Sequence, residues 1–170
     1  LCGCGVGFKL IQALSQNRNQ TIDDLIPYLD LVATAIAADI VPITGENRVL
    51  AHFGLQVINQ APRPGIQALI QQIKKQTLTI TDVVFVIAPR INAAGRIKHG
   101  NHAVGLLTEF NLAQAQQFAK EIEDYNSERK GLDQLITKEA LQKIEENQEQ
   151  ERFTTVVFQK NWHKGVIGIV

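Results

Sequence analysis

Only two cysteines occur in the 170 residues, Cys2 and Cys4, one residue apart. That spacing is poor for a disulfide and does not match Cys-x-x-Cys zinc or redox sites, so both read as small buried residues. No apolar run approaches the roughly twenty residues that cross a bilayer, and no secretory leader is visible. The chain therefore reads as cytoplasmic, with no membrane partner. No internal repeat is evident. Net charge is absent too, since 17 Lys and Arg balance 17 Asp and Glu. That balance argues neither for nor against a nucleic-acid partner, but its distribution is uneven. Residues 1–108 carry nine basic against six acidic side chains, and residues 109–152 carry six against eleven. A DNA-facing patch belongs to the first stretch rather than the second.

What is present is a globular composition. Hydrophobic residues make up 45% and charged residues 20%, enough for one domain and part of a second. The chain opens without a Met and stops inside the apolar run Gly165-Val166-Ile167-Gly168-Ile169-Val170, so both ends are expected to be cuts within a longer protein.

Periodicity predicts mostly helices. Apolar residues from Val6 to Leu14 recur at helical spacing, with a polar break at Asn17 to Asn19. Thr21 is placed to cap a short helix with Asp23 and Asp24 in its first turn. Leu31 to Ala38 reads as a buried helix closed by Asp39-Ile40-Val41-Pro42. Thr44 opens another helix to about Asn59, Ala61 to Gly65 is a rigid connector, and Ile66 to Lys75 is helical again. Asp82 to Ala88 is rich in β-branched residues yet follows potential caps at Thr79 and Thr81, and is assigned to helix. Gly95 and Gly100 bracket a turn, and His102 to Phe110 forms a short helix.

From Leu112 to about Asn147 there is no proline and one glycine, Gly131. Asn111 caps this stretch. Ala115, Phe118, Ile122, Tyr125, Arg129, Leu132 and Ile136 share a seam at alternating three-four spacing. A helix of some 36 residues would be about 54 Å long and suits a bridge between two domains. Coiled-coil dimerisation is the competing reading, weakened by Arg129 in the seam. Phe153 to Phe158 is expected to be a strand, and Gly165 to start a helix.

Four clusters are candidates for chemistry. Asp39 follows a strongly apolar stretch, so it is either paired with a metal or cation, or a solvent-facing residue at a helix C-terminus. Arg90 and Arg96 flank Asn92-Ala93-Ala94-Gly95, where a turn would let two guanidiniums converge on one phosphate; the alternative is two surface arginines. Lys98, His99 and His102 extend the basic character. Asn126-Ser127-Glu128-Arg129-Lys130 is a polar helix face or an ion-paired one. His163 and Lys164 precede Gly165, where backbone N–H groups and a cation would suit an anion, unless His163 is simply buried and satisfied.

These segments together resemble RecJ-type exonucleases of the DHH phosphoesterase family. Leu29-Asp30-Leu31-Val32-Ala33…Ala37-Ala38-Asp39-Ile40-Val41-Pro42-Ile43…Glu46-Asn47-Arg48 resembles the last metal-ligand motif of that family, and Pro89 to Arg96 its arginine motif. Asn126-x-x-Arg129-Lys130 with Glu139-Ala140 is similar to the interdomain helix, and Trp162-His163-x-Gly165 to Val170 to the opening of a DHHA1-type domain. The resemblance implies an α/β fold in the intact protein, with this part mainly α-helical: residues 1–110 the end of the catalytic domain, 111–151 the connecting helix, 152–170 the start of the DHHA1-type domain. It implies a 5′-to-3′ exonuclease acting on single-stranded DNA by two-metal catalysis with Mn²⁺ or Mg²⁺, in DNA repair and recombination. Asp39 would be a metal ligand; Arg90, Asn92 and Arg96 would hold substrate phosphates or brace the site, and His163 with Lys164 would contact the strand from the far side of the cleft. The other ligands, an Asp-x-Asp pair, a later Asp and an Asp-His-His motif, would precede Leu1. A monomer is expected, working beside a single-strand-binding protein and a helicase. The rival readings are an oligoribonuclease or nucleotide phosphatase of the same family, and a non-catalytic helical assembly module.

Overall fold

In the computed structural model, residues 1–39, 41–73 and 75–170 are described; Ile40 of the metal-ligand motif and Lys74 lie outside them. The helices run α1 (Gly3–Asn17), α2 (Leu29–Ala38), α3 (Gly45–Gln60), α4 (Pro64–Ile70), α5 (Ile80–Asp82), α6 (Ala88–Ile97), α7 (Asn101–Thr108) and α8 (Leu112–Glu146). Two short 3₁₀ turns, Ile22–Asp24 and Ile26–Tyr28, lead into α2, and a π-helical turn, Val83–Ile87, joins α5 to α6. Among the described residues there is no strand, and no helix is long and apolar enough to cross a membrane.

Helix α2 organises the body because it is apolar on nearly every side. Leu29, Val32 and Ile36 pack with Cys2, Phe8, Leu25 and Leu50 of one cluster. Ala33 and Ala37 pack with Ile58, Ile66, Leu69, Ile87 and Ala94 of the other, larger one. Burying side chains such as Val32 and Ile36, each 1% exposed, contributes about 1.5–3 kcal/mol apiece. Helix α3 lies unusually close to α2 at Gly54, where a methyl group would overlap the Leu29 carbonyl oxygen and crowd Ala33 Cβ at 2.5 Å. Gly54→Ala should therefore destabilise the fold by about 1–3 kcal/mol, read from the urea unfolding midpoint.

The segment Ile80–Ile97 is helical throughout, in agreement with the assignment to helix. Its proline is tolerated because the turn before it is widened: the Ala88 N–H reaches back to Val83 O, five residues away. Proline has no N–H and its ring collides with the carbonyl four residues earlier in a regular helix. The widened turn relieves both problems, and the Arg90 side chain donates to the Val86 carbonyl at 2.7 Å.

The start of α5 is fixed by a capping box. In it Asp82 accepts from Thr79 N–H at 2.7 Å and Thr79 Oγ1 at 2.6 Å, with Lys75 Nζ at 2.6 Å. The Lys75 and Thr79 hydrogen bonds hold the Asp82 carboxyl well below the usual carboxylate range. A depressed folded-state value gives stability that is present above the ordinary carboxylate pKa and lost as pH falls through the lower one. Asp82→Asn should thus lower the thermal midpoint at neutral pH, and the difference from wild type should shrink in strong acid.

Several expectations are corrected. The helix expected over Ile66 to Lys75 starts at Pro64 and ends at Ile70, since proline is preorganised for the first helical turn. The turn expected around Gly95 is helix, as α6 runs on to Ile97. Phe153 to Phe158 is not a strand; the segment pairs with no neighbour, and Phe153, Val156 and Phe158 are exposed. A strand is defined by a ladder with a neighbour, and β-branched content alone does not supply one. The expected helix at Gly165 is a single turn, with Ile167 N–H on His163 O at 3.2 Å. Cys4, expected buried, is exposed, while Cys2 is buried and caps α1 by accepting from Gly5 N–H at 3.4 Å.

Helix α8 has 35 residues, and Asn111 caps it by accepting from Ala113 and Gln114 N–H groups at 2.9 and 3.2 Å. Its first half packs on α4, α6 and α7. The buried stripe is Ala115, Ala119, Ile122 and Asn126, then Ile136 and Ala140, with Phe118 and Tyr125 packed beside it. The seam is thus centred one position later than expected, and Asn126 rather than Arg129 occupies its polar interruption.

Candidate functional site

Asp39 terminates α2. Its N–H closes the last helical bond to Ala35 O at 2.9 Å while its own backbone is extended, φ −89°, ψ 150°. The side chain is exposed and has no hydrogen-bond or ion-pair partner among the described residues. Asp39 thus stands at the solvent-facing end of a buried helix. Cys4 feels this carboxylate: desolvation raises its thiol pKa first, then Cys2, with Asp39 and Asp30 adding and Arg63 opposing. Among the described residues no three His, Cys, Asp or Glu side chains gather to hold a metal ion. Asp39 is a hard oxygen donor suited to Mg²⁺ or Mn²⁺, but it is one donor of the several such ions need.

The arginines of α6 part company because the segment is helical. At 100° per residue, positions six apart point about 120° away from each other. Arg90 turns to α8, where it pairs with Glu123 as well as capping Val86. Arg96 turns to the C-terminal segment and donates through Nη1 to the Gly165 carbonyl at 3.2 Å. Asn92, four residues before Arg96, shares its face and is exposed. The Gly165 N–H in turn donates to His163 Nδ1 at 3.2 Å. Gly165 thereby links Arg96 and His163 through its own backbone, with Lys164 exposed between them. Arg90 and Asp39 are not part of that group.

On α8, Glu123, Asn126, Arg129 and Asp133 form a polar stripe at three- and four-residue spacing. Arg129 donates to Asn126 Oδ1 at 3.4 Å and approaches Asp133 at 3.9 Å. Asn126 is 1% exposed, so the cluster is an ion-paired, partly buried face rather than a solvated one.

Sequence reasoning missed Asp30 with Arg63. Asp30 is 0% exposed and its carboxylate accepts from Arg63 Nε at 2.9 Å and Arg63 backbone N–H at 3.1 Å. The rest of the guanidinium donates to Leu107 O at 3.2 Å and Pro27 O at 3.1 Å. The segment Pro27 to Asp30 and the end of α7 thus meet on the one Arg63 side chain. The only signal was an arginine held between Pro62 and Pro64, and nothing local points it at a residue 33 positions away.

No family model matches the chain. Its full length aligns with the single-stranded-DNA-specific exonuclease RecJ of Escherichia coli K12 at 35% identity, covering 32% of that protein. It aligns with the corresponding Bacillus subtilis 168 exonuclease at 36%, covering 21%. The crystal structure of Thermus thermophilus RecJ in complex with Mg²⁺ superposes with a TM-score of 0.87 at 31% identity, over 97% of this chain and 26% of that one. A RecJ exonuclease structure bound to manganese gives the same TM-score and covers 41% of that chain. The helical body and its C-terminal turn thus match a stretch within those larger proteins. The chain is similar over its full length to the RecJ exonucleases and spans about a third or less of the curated relatives it matches.

Proposed function

We propose that this chain is part of a single-stranded-DNA-specific exonuclease that removes nucleotides from a 5′ end with two Mn²⁺ or Mg²⁺ ions. The supporting observation is the meeting of Arg96 and His163 on the backbone of Gly165, which joins two motifs 69 residues apart into one polar face carrying the Arg96 and Lys164 cations. In this reading residues 1–110 end the catalytic domain, 111–151 connect, and 152–170 begin the DHHA1-type domain. The enzyme would be cytoplasmic and monomeric, with a single-strand-binding protein and a helicase as partners in DNA repair and recombination.

Asp39 supplies one carboxylate to a catalytic ion, and the remaining ligands come from parts of the family that this chain does not cover. When bound, such ions activate water and stabilise the leaving oxygen. Arg96, Asn92, His163 and Lys164 grip strand phosphates. Arg90, already committed to Glu123 and Val86, braces α6 against α8.

In the full-length protein, Arg96→Ala or Lys164→Ala should weaken binding of a short 5′-phosphorylated single strand by about 1–3 kcal/mol and flatten its salt dependence by roughly one phosphate. Lysine at position 96 should restore part of the loss, because it keeps the charge but not the planar fork. Arg90→Ala should lower the melting temperature instead. Fluorescence anisotropy at two salt concentrations reads these outcomes, and unchanged affinity and slope for both alanine variants would remove Arg96 and Lys164 from the contact face. Faster turnover of dinucleotides than of long single strands would favour the oligoribonuclease reading.

A further inference from the structure

The C-terminal turn is pinned to the helical body at two points. The first is Gly165, which lies on the backbone of Arg96. A Cβ there would overlap the Arg96 carbonyl oxygen and stand 3.0 Å from its carbonyl carbon and 3.2 Å from its Cα. These are main-chain atoms inside α6 and cannot rotate aside, so only glycine allows the approach. The Arg96 guanidinium closes the same contact by donating to Gly165 O. The second point is Trp162, whose indole N–H donates to Glu139 Oε2 on α8 at 2.7 Å. Val166, immediately beyond, is 0% exposed.

His163 and Lys164 are the two residues between these points. A two-residue span tied at each end, to two different helices, has little freedom to drift. We propose that Gly165 and the Trp162–Glu139 pair are positioning groups, forming a two-point clasp that fixes His163 and Lys164 beside the Asn92 and Arg96 face of α6, where they hold a strand phosphate. The choice of nucleic acid as ligand rests on the proposed function; the clasp itself does not.

The test uses the full-length protein with Gly165→Ala, Glu139→Ala and Glu139→Gln. Hydrogen exchange over residues 160–170 reports the clasp, and KM and kcat on a short 5′-phosphorylated single strand report positioning. Gly165→Ala and Glu139→Ala should both speed exchange there and raise KM by about tenfold or more while changing kcat less. Glu139→Gln keeps an acceptor oxygen and should stay near wild type. If Gly165→Ala fails to fold, the Glu139 pair of variants carries the comparison. Faster exchange with unchanged KM overturns the positioning role. Unchanged exchange in Glu139→Ala, or a Glu139→Gln variant as impaired as Glu139→Ala, overturns the clasp. A wild-type protein inert on single strands defeats the proposed function instead, and the exchange data still decide the clasp.

Discussion

Asp39→Ala in the full-length protein should lower turnover by two orders of magnitude or more. A lost ligand to a catalytic ion removes several kcal/mol of transition-state stabilisation, and each ~1.4 kcal/mol is about tenfold in rate. The same change should leave the metal-free protein as stable as before. Asp39 is exposed, follows the last turn of α2, and makes no side-chain bond or ion pair among the described residues. A carboxylate at that end of a helix also opposes the helix dipole, so its removal relieves rather than strains the fold. Steady-state rates with Mn²⁺ and melting curves in chelator separate the two effects. Retained turnover with a lowered melting temperature would make Asp39 structural.

Arg63→Ala should have the opposite profile, with stability lost by about 3–5 kcal/mol. It leaves the Asp30 carboxylate fully buried and without its partner, and it strips donors from Leu107 O and Pro27 O. Arg63→Lys should rescue little, because one ammonium cannot reach the positions the planar fork serves. Replacing both members of the pair by apolar residues of similar volume should recover much of the loss, since the penalty lies in the stranded charge. Urea unfolding of the single and double variants measures each quantity. A loss under about 1 kcal/mol for Arg63→Ala would mean that the carboxylate finds other solvation.

The contrast between these residues shows what the sequence could reveal. Local signals were enough for α8, because Asn111 caps it and no proline interrupts the following 35 residues. The buried helix α2 was legible from its unbroken apolar run, and the short helix after Thr21 from its cap and the Asp23 and Asp24 of its first turn. Misreadings arose where a distant partner decides the outcome. Phe153 to Phe158 has strand composition but no neighbouring strand among the described residues. Gly95 looked like a turn, yet in α6 it is simply a tolerated helical glycine with open space around it. That difference redirected the site: a turn would have gathered Arg90 and Arg96, whereas a helix sends one to Glu123 and the other to Gly165. The contact of Arg96 with Gly165 and the Asp30–Arg63 pair span 69 and 33 residues, separations at which composition and spacing carry no geometric information.

The central claim is that this chain works as part of a metal-dependent nuclease for single strands. Its most direct test is to incubate the full-length protein with a 5′-phosphorylated single-stranded oligonucleotide and its blunt duplex, in Mn²⁺ or Mg²⁺ and in chelator, and to follow mononucleotide release. The expected result is stepwise release from the single strand alone, abolished by chelator and restored by adding Mn²⁺. Release that persists in chelator, or that proceeds equally on the duplex, would contradict it.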